Sequence, residues 1–470
     1  MNRAQRPVRS TRTTMQSYER TPPSDQGCRV VGFDMKKQLL TFRACSALKL
    51  VLVATVCSLL LEVACGGNAQ NNGDGSDNGN CAPASNAIFA GTQPVTYSFS
   101  VLHSFAGHSV PAAPEGGHPY AGMVMDGAGN LYGTALSDGA KYFGTVYKVD
   151  PSGKETTLHD FTDGADGGYP WSLLVLDGQC NLYGTTINGG AGGYGTLFRL
   201  DTAGNLTVLH AFSGADGNAP RGGLICDVSG NIYGTTEFGG ASDMGVVFKL
   251  NPSGTYTVLH SFSGAPDGGA LVGTLLRDAA GNLWGVTVNG GTSGWGTVFK
   301  IDSAGNETII HTFTGPDGAY PLAGLVQDST GNLYGAASAG GTQQWGIIYR
   351  IDTKGVFTIL YNFPGGTAGA APYNVVRDGA GNFYGVAAGD GDAIACPWSD
   401  GCGLVFKVDS TGKETVLHTF NDTDGAFGTE VFQDAAGNLY GTTMEGGIVA
   451  CDANVATFNT CGVAFMLTAH

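Results

Sequence analysis

The chain has 470 residues, of which only 13% are charged, and 77 of them are glycine. Residues 1–64 hold ten of the 23 basic residues and four of the 39 acidic ones, so the rest of the chain carries a formal net charge of −22. An acidic surface repels phosphate backbones and anionic lipid headgroups, so we expect neither nucleic acid nor a bare membrane surface as a partner. A glycine-rich, charge-poor composition favours many short strands joined by tight turns.

The amino terminus predicts a secretory leader. Met35 and two lysines form a basic start, and residues 50–61 (LVLVATVCSLLL) form an apolar run of twelve residues, too short to span a bilayer. Residues 35–64 therefore match a signal peptide with cleavage near Ala64. Residues 1–34 are interpreted as an extension that does not belong to the native protein. We expect an extracytoplasmic protein, either secreted or displayed at the cell surface.

The residues around Cys65 leave the mode of attachment open. Glu62-Val63-Ala64-Cys65 resembles a bacterial lipobox, except that Glu62 stands where an aliphatic residue is usual. Either Cys65 carries a lipid, which is the one membrane contact we expect, or ordinary cleavage releases a secreted protein. Residues 65–94 include the run GGNAQNNGDGSDNGN, which has no apolar face to bury and predicts a flexible tether.

From about residue 98 to the C-terminus the chain repeats one unit seven times. The clearest tag is Asp-x-x-Gly-Asn-Leu-Tyr-Gly, and its asparagine recurs at intervals of 51, 50, 51, 50, 50 and 56 residues: Asn130, Asn181, Asn231, Asn282, Asn332, Asn382 and Asn438. Self-similarity at this period indicates a solenoid, a propeller or an array of repeats.

Each unit contains four short β-type runs, here named strands a to d, separated by Gly, Asp and Pro turn signals. In the second copy they are residues 172–177, 181–186, 195–201 and 207–212. The chain opens with a lone d-type run at residues 96–105 and ends after strand c of its last copy. Pairing of these two ends completes one blade and closes a ring. We therefore predict an all-β, seven-bladed propeller of four-stranded antiparallel blades over residues 95–470, present as a monomer.

Two repeated polar residues are predicted to be structural. Six histidines and one tyrosine occupy a single slot of strand d: His103, His159, His210, His260, His311, Tyr361 and His418. Equivalent positions on a ring cannot converge on one metal ion, so we expect hydrogen bonds within or between blades. Aspartates that open the a–b turns fit turn chemistry. Asp-Gly pairs in the d–a loops fit plain turns, with Ca²⁺ as the weaker alternative; no other cofactor is expected.

The b–c loops of the sixth and seventh copies are enlarged, and each enlarged loop contains one cysteine pair. These pairs, Cys396 with Cys402 and Cys451 with Cys461, predict two disulfides in an oxidising compartment. Zinc is the weaker alternative, because neither loop contains a histidine. Cys180 and Cys226 replace ordinary repeat residues and are interpreted as isolated buried thiols.

Ligand-binding candidates are the positions that vary between copies, because loops on a regular scaffold carry function. In an antiparallel blade the b–c and d–a loops emerge at the same end, so both cysteine-bearing loops share a face with the residues just before strand a. The candidates before strand a are Tyr120, Trp171, Arg221 and Tyr373; those before strand c are Trp295 and Trp345; Trp398 lies in the sixth b–c loop. Such a ring of aromatic residues could stack on sugars or peptide side chains, or could simply cap the packing of the blades.

With the repeat written out as G-L-V-x-D-x-x-G-N-L-Y-G-T-T…G-T-V-F-K-L-D-x-x-G-x-x-T-V-L-H-S-F-x-G, the chain resembles the GloVer tandem-repeat proteins. This "choice-of-anchor" family consists of bacterial surface proteins, and the resemblance covers roughly residues 98–467. It implies export and a variable anchoring signal, but no established activity. Strands a and b are also similar to those of NHL and streptogramin-lyase-type propellers, whose catalytic residues have no counterpart in this sequence.

Three functions stay open at this level. The first is a surface module, not an enzyme, that binds an extracellular glycan, polymer or protein on the face with both cysteine loops. The second is a lyase or hydrolase at the channel mouth, using acids such as Asp390, Asp392 or Glu430 together with His118. The third is a structural protein of the cell envelope. Catalysis needs a unique constellation of acid, base or metal ligands, and the scarcity of non-repeated histidines favours binding.

Overall fold

The computed structural model of the protein describes residues 96–107, 115–389, 396, 401–448 and 461–470. The leader, the tether, Cys65, Cys451, Trp398, Asp390 and Asp392 lie outside the described residues, so the predictions made for them stay predictions. The described part is all-β and forms seven four-stranded antiparallel blades arranged as a β-propeller, which confirms the predicted fold class. Within it, no helix is long and apolar enough to cross a membrane.

The strands follow the repeat in chain order. The described part of the chain begins with β1 (Tyr97–Ser104). Blade 1 contains β2 (Gly116–Gly117), β3 (Val124–Met125), β4 (Leu131–Ala135), β5 (Ser137–Asp138), β6 (Thr145–Val149) and β7 (Glu155–Asp160). Blade 2 contains β8 (Gly168–Pro170), β9 (Val175–Leu176), β10 (Leu182–Asn188), β11 (Thr196–Leu200) and β12 (Leu206–Ala211). Blade 3 contains β13 (Ile225–Cys226), β14 (Ile232–Thr235), β15 (Val246–Leu250) and β16 (Tyr256–Ser261).

The remaining blades have the same order. Blade 4 contains β17 (Leu276–Arg277), β18 (Leu283–Thr287), β19 (Thr297–Ile301) and β20 (Glu307–Thr312). Blade 5 contains β21 (Val326–Gln327), β22 (Leu333–Ala337), β23 (Ile347–Ile351) and β24 (Phe357–Asn362). Blade 6 contains a short 3₁₀ turn (Gly366–Ala368), β25 (Ala370–Arg377), β26 (Phe383–Gly389), β27 (Leu404–Val408) and β28 (Glu414–Thr419). Blade 7 contains β29 (Ala426–Gln433), β30 (Leu439–Glu445) and β31 (Val463–Ala469).

Strand β1 closes the ring, as predicted. It pairs antiparallel with β31, in a register that runs from Tyr97 opposite Ala469 to Ser104 opposite Val463. It thereby supplies strand d of blade 7, whose other three strands come from the far end of the chain. The Phe99 ring stacks on His418 of blade 6 with centroids 3.6 Å apart, so the closing strand also contacts the preceding blade.

Aromatic rings of strands c and d fill the core between blades. The phenylalanine that follows each strand d is fully buried, and it meets the aromatic residue of a strand c edge to face; Phe161 and Phe198, for example, have centroids 5.2 Å apart. Strand b always presents a glycine beneath that strand-c ring. A Cβ built on Gly234 would lie 2.6 Å from Cζ of Phe248, closer than packed atoms approach.

The repeated histidines are structural, as predicted. His210 Nε2 lies 3.1 Å from Asp216 Oδ2 in the following d–a loop, and the imidazole stacks on Tyr256 of the next blade at 3.8 Å. The same histidine–aspartate pair recurs as His159 with Asp166, His260 with Asp267, His311 with Asp317 and His418 with Asp424, while His103 pairs with Glu115. Each pair therefore ties a d–a loop to its own strand d.

The a–b turns are held by their aspartates, also as predicted. Asp177 is fully buried and accepts hydrogen bonds from the backbone N–H groups of Gln179 and Asn181, at 2.9 and 2.8 Å. Asn181 Nδ2 and Tyr183 Oη donate to its second oxygen. The aspartate of the tag thus holds its turn through both carboxylate oxygens.

The cysteines differ in part from their interpretation. Cys396 and Cys402 form a disulfide, as predicted. Cys461 is fully buried and disulfide-bonded, but because Cys451 lies outside the described residues, the pairing of these two stays a prediction. Cys226 is buried. The interpretation of Cys180 as an isolated buried thiol was wrong, because it is half-buried and disulfide-bonded.

Candidate functional site

The sequence before each strand a fixes one backbone conformation. In every blade a residue with φ near +55° lies at the start of strand a or shortly before it: His118, Tyr169, Ala219, Ala270, Tyr320, Ala371 and Phe427. Its N–H donates across to a residue next to strand c of the neighbouring blade, as Tyr169 does to the Phe143 carbonyl at 2.7 Å. A proline usually follows, so the next residue is placed at the same depth in every blade.

That next residue lines the central channel. Blades 1 to 6 place Tyr120, Trp171, Arg221, Val272, Leu322 and Tyr373 around one cavity. Blade 7 contributes Glu430, which stands one residue after the equivalent position, Thr429. We call these seven side chains the channel neck. The space between them is narrow and opens to solvent. Four residues that the sequence singled out are therefore brought together: Tyr120, Trp171, Arg221 and Tyr373.

Trp171 is sandwiched in this neck. Its ring centroid lies 4.2 Å from that of Tyr120 in blade 1, and the Arg221 guanidinium of blade 3 sits 4.4 Å from the indole centroid. Arg221 Nε in turn forms an ion pair with Glu237 Oε2 at 2.9 Å. Because both ring-order neighbours of Trp171 pack against it, its indole is less open to sugar stacking than the sequence suggested.

Glu430 lies on the other side of Tyr120. In ring order its blade stands between those of Tyr373 and Tyr120, and its carboxylate lies beside the Gly122 backbone. Burial raises the pKa of Glu430. Burial also raises the pKa of Tyr373, and the nearby Glu430 charge adds to that effect. Burial and the Glu445 charge raise the pKa of Tyr120 to about 12. The hydroxyls of Tyr373 and Tyr120 therefore both stay protonated.

A second polar cluster lies where blade 7 meets blade 1. His118 Nδ1 is 2.8 Å from Ser137 Oγ, which donates to Asp138 Oδ2 at 2.7 Å. His118 Nε2 lies 3.6 Å from Glu445 Oε1. Burial opposes a charge on His118, but Asp138 and Glu445 outweigh it and raise the pKa of the imidazole. Burial raises the pKa of Glu445 to about 7.

Two further sequence candidates, Trp295 and Trp345, are not in the channel neck. Trp295 and Trp345 lie on b–c loops with 37% and 49% of their surfaces exposed, and neither lines the channel. Trp295 instead packs edge to face against Tyr320, with centroids 5.2 Å apart, which agrees with the alternative of a cap on the blade packing. Trp398 lies outside the described residues.

Sequence reasoning missed three acidic residues: Glu237, Glu445 and Asp138. Glu237 and Asp138 stand where most other copies have apolar or small residues, and Glu445 stands where the other copies have uncharged ones. This departure from the repeat was the available signal. Asp138 has φ of 62° where blades 2 to 5 have a glycine, namely Gly189, Gly239, Gly290 and Gly340. A non-glycine residue in this region is uncommon and strained. Among the described residues, no group of three or more His, Cys, Asp or Glu side chains is arranged to hold a metal ion.

Comparison with solved structures supports the fold. The chain is similar to virginiamycin B lyase from Staphylococcus aureus, with 12% identity and a TM-score of 0.51 over 79% of this chain and 99% of the lyase. It is equally similar, at 12% identity and 0.51, to the extracellular domain of a protein described as a hybrid two-component system from Bacteroides thetaiotaomicron, covering 79% of this chain and 42% of the other. Identities this low establish the propeller fold alone.

No curated protein sequence matches this chain. The sequence profile of the Gloeobacter/Verrucomicrobia repeat matches residues 73–279 and 272–460, which together cover most of the chain and all seven blades in part or in full. The family match and the propeller structure therefore both agree with the sequence analysis. The chain belongs to the Gloeobacter/Verrucomicrobia repeat family.

Proposed function

We propose that this protein is an exported propeller that binds an extracellular glycan, polymer or protein at the channel neck. The observation that carries the proposal is the convergence of non-repeated side chains, Tyr120, Trp171, Arg221, Tyr373 and Glu430, on one cavity. Concave sites lined by aromatic rings with a few polar groups are the usual form of a binding site. Export, and an anchor at Cys65 if present, rest on the sequence of the leader.

A panel of glycans, soluble polymers and peptides, immobilised and probed with the purified chain, tests the proposal. Trp171→Ala should weaken capture of a bound panel member at least about 30-fold, the effect of losing about 2 kcal/mol, because it removes the ring against which Tyr120 and Arg221 are held in the neck. Trp295→Ala is the matched control, since it removes an exposed tryptophan that does not line the channel. Equal losses in both variants, or none in Trp171→Ala, would refute the channel neck as the binding site.

An extracellular hydrolase or lyase is the second candidate. The observation that favours it is the pair formed by His118 and Glu445. The pKa of the His118 imidazole is raised, and the pKa of the Glu445 carboxyl is about 7. Proton donors and acceptors close to neutral pH are what general acid–base catalysis requires. Turnover of a polysaccharide, ester or lactone that falls at least about 100-fold in His118→Gln would support it. Turnover unchanged in that variant, or no turnover of any substrate class, argues for binding alone.

A further inference from the structure

We propose that the group bound in the channel neck is an organic ammonium ion, held by the Glu430 carboxylate between the rings of Tyr373 and Tyr120. The proposal rests on the proposed binding function and adds the chemical class of the ligand. The occupant we expect is a cationic end, such as an alkylammonium or a trimethylammonium group, on a larger molecule outside the channel.

The first argument is the charge balance of the neck. The acidic groups facing it or its immediate surroundings are Glu237, Glu430, Glu445 and Asp138, and the basic groups are Arg221 and His118. Arg221 is paired with Glu237, and His118 lies between Glu445 and Asp138. None of the ion pairs within the described part of the chain involves Glu430. The neck therefore carries a surplus of negative charge, centred on a carboxylate without a cationic partner there.

The second argument is the position of the aromatic rings. In ring order, blades 6, 7 and 1 place Tyr373, Glu430 and Tyr120 next to one another. The faces of tyrosine and tryptophan rings attract cations, and ring pairs beside a carboxylate are how proteins recognise ammonium groups. The neck already contains one such contact, the Arg221 guanidinium over Trp171. Trp171 is thus occupied by an internal cation, and the Tyr120 face turned toward it is covered as well, which leaves Tyr373 and the opposite face of Tyr120 to a ligand.

The third argument is that the alternatives match the site less well. A carboxylate or phosphate ligand would be repelled by the Glu430 carboxylate. Arg221 would not offset this repulsion, because its charge is already paired with Glu237. A neutral ligand would leave the burial of Glu430 uncompensated, and that burial already raises its pKa. The positive charge of a bound ammonium ion offsets the cost of burying the Glu430 carboxylate.

Isothermal titration of the full exported chain with choline and with 3,3-dimethylbutan-1-ol tests the idea. The two probes have the same shape and hydroxyl but differ in charge. We expect choline to bind at least about 10-fold more tightly than its neutral isostere, and butyrate not to bind. Choline affinity should rise with pH as Glu430 ionises, since the probe keeps its charge throughout.

Glu430→Gln should lower the choline affinity at least about 10-fold. The affinity of this variant should no longer depend on pH. Glu307→Gln is the control: that carboxyl also has a raised pKa, because of burial, but it begins strand β20 and does not line the channel. Equal affinity for both probes, or an unchanged Glu430→Gln variant, overturns the ammonium proposal. If Trp171→Ala still abolishes capture of a polymer or peptide in that case, the channel neck remains a binding site for a different ligand.

Discussion

At the residue scale, the packing of the blades depends on the strand-b glycine. Its register partner in strand c is an aromatic residue, so Gly234 lies opposite Phe248 and Gly285 opposite Phe299. In every blade a Cβ on this glycine would meet the ring of strand c within 2.7 Å: Gly133, Gly184, Gly234, Gly285, Gly335, Gly385 and Gly441. The last letter of the Asn-Leu-Tyr-Gly tag is therefore a steric requirement and not a turn signal.

Gly234→Ala should destabilise the protein by about 1–3 kcal/mol, because the added methyl group forces the fully buried Phe248 ring out of its place. Gly178→Ala is the matched control, since a Cβ there meets no atom within 4 Å. Chemical denaturation of both variants measures the free energy of unfolding. A stability loss in Gly178→Ala as large as in Gly234→Ala would contradict the steric explanation.

At the element scale, the ring is closed by β1 alone. This strand covers the edge of β31, and without it β31 would present unpaired backbone groups to solvent. Phe99 lies within 6.0 Å of both Phe420 and Phe465, centroid to centroid, in addition to its stack on His418. One strand thus joins blades 6 and 7.

Deletion of residues 97–104 should abolish cooperative unfolding and promote aggregation, because it removes a strand from blade 7 and exposes its edge. Scanning calorimetry and size-exclusion chromatography measure the two effects. Deletion of residues 65–94, the predicted tether, is the control and should leave the melting transition in place. A normal transition after loss of 97–104 would mean that closure contributes nothing to stability.

At the scale of the whole molecule, buried carboxyls set how stability changes with pH. Burial raises the pKa of Glu155, Glu307 and Glu445 to about 7, from an ordinary value of 4.5. The folded state then binds these protons more tightly than the unfolded state, so stability falls as pH rises from about 4.5 to 7. His118, whose pKa is raised, acts in the same direction, whereas His210 and His311, whose pKa burial lowers, oppose it.

The turn aspartates act at lower pH. Burial opposes ionisation of Asp227, Asp278 and Asp328, but their hydrogen bonds outweigh it, and the pKa of each lies below its ordinary 3.8. Their contribution to stability is present above that value and is lost as pH falls through the lowered pKa. Stability should therefore be greatest near pH 4–5.

Thermal denaturation at pH 5.0 and at pH 7.5 tests this expectation. We expect the higher melting temperature at pH 5.0, and a smaller difference between the two temperatures in the double variant Glu155→Gln, Glu307→Gln. An equal or larger difference in the variant, or a protein more stable at pH 7.5, would show that these buried carboxyls do not control the pH response.

The sequence by itself determined the fold and its repeated chemistry. Strand number, the turn aspartates, the strand-d histidines and the closing role of residues 96–105 all depend on local pattern and on one periodicity, which repeats make visible seven times. It also singled out Tyr120, Trp171, Arg221 and Tyr373 as variable residues before strand a, and these four side chains line the channel.

Only the tertiary structure decided which unique side chains meet. Ring closure brings Glu430, from the last blade, between Tyr373 and Tyr120, the latter from the first blade, and sets Glu237 against Arg221. It also separates Trp295 and Trp345 from the channel, although the repeat gives them the same face. Such contacts join residues far apart in the chain, and their distances follow from how seven twisted sheets pack around one axis, which no local pattern encodes.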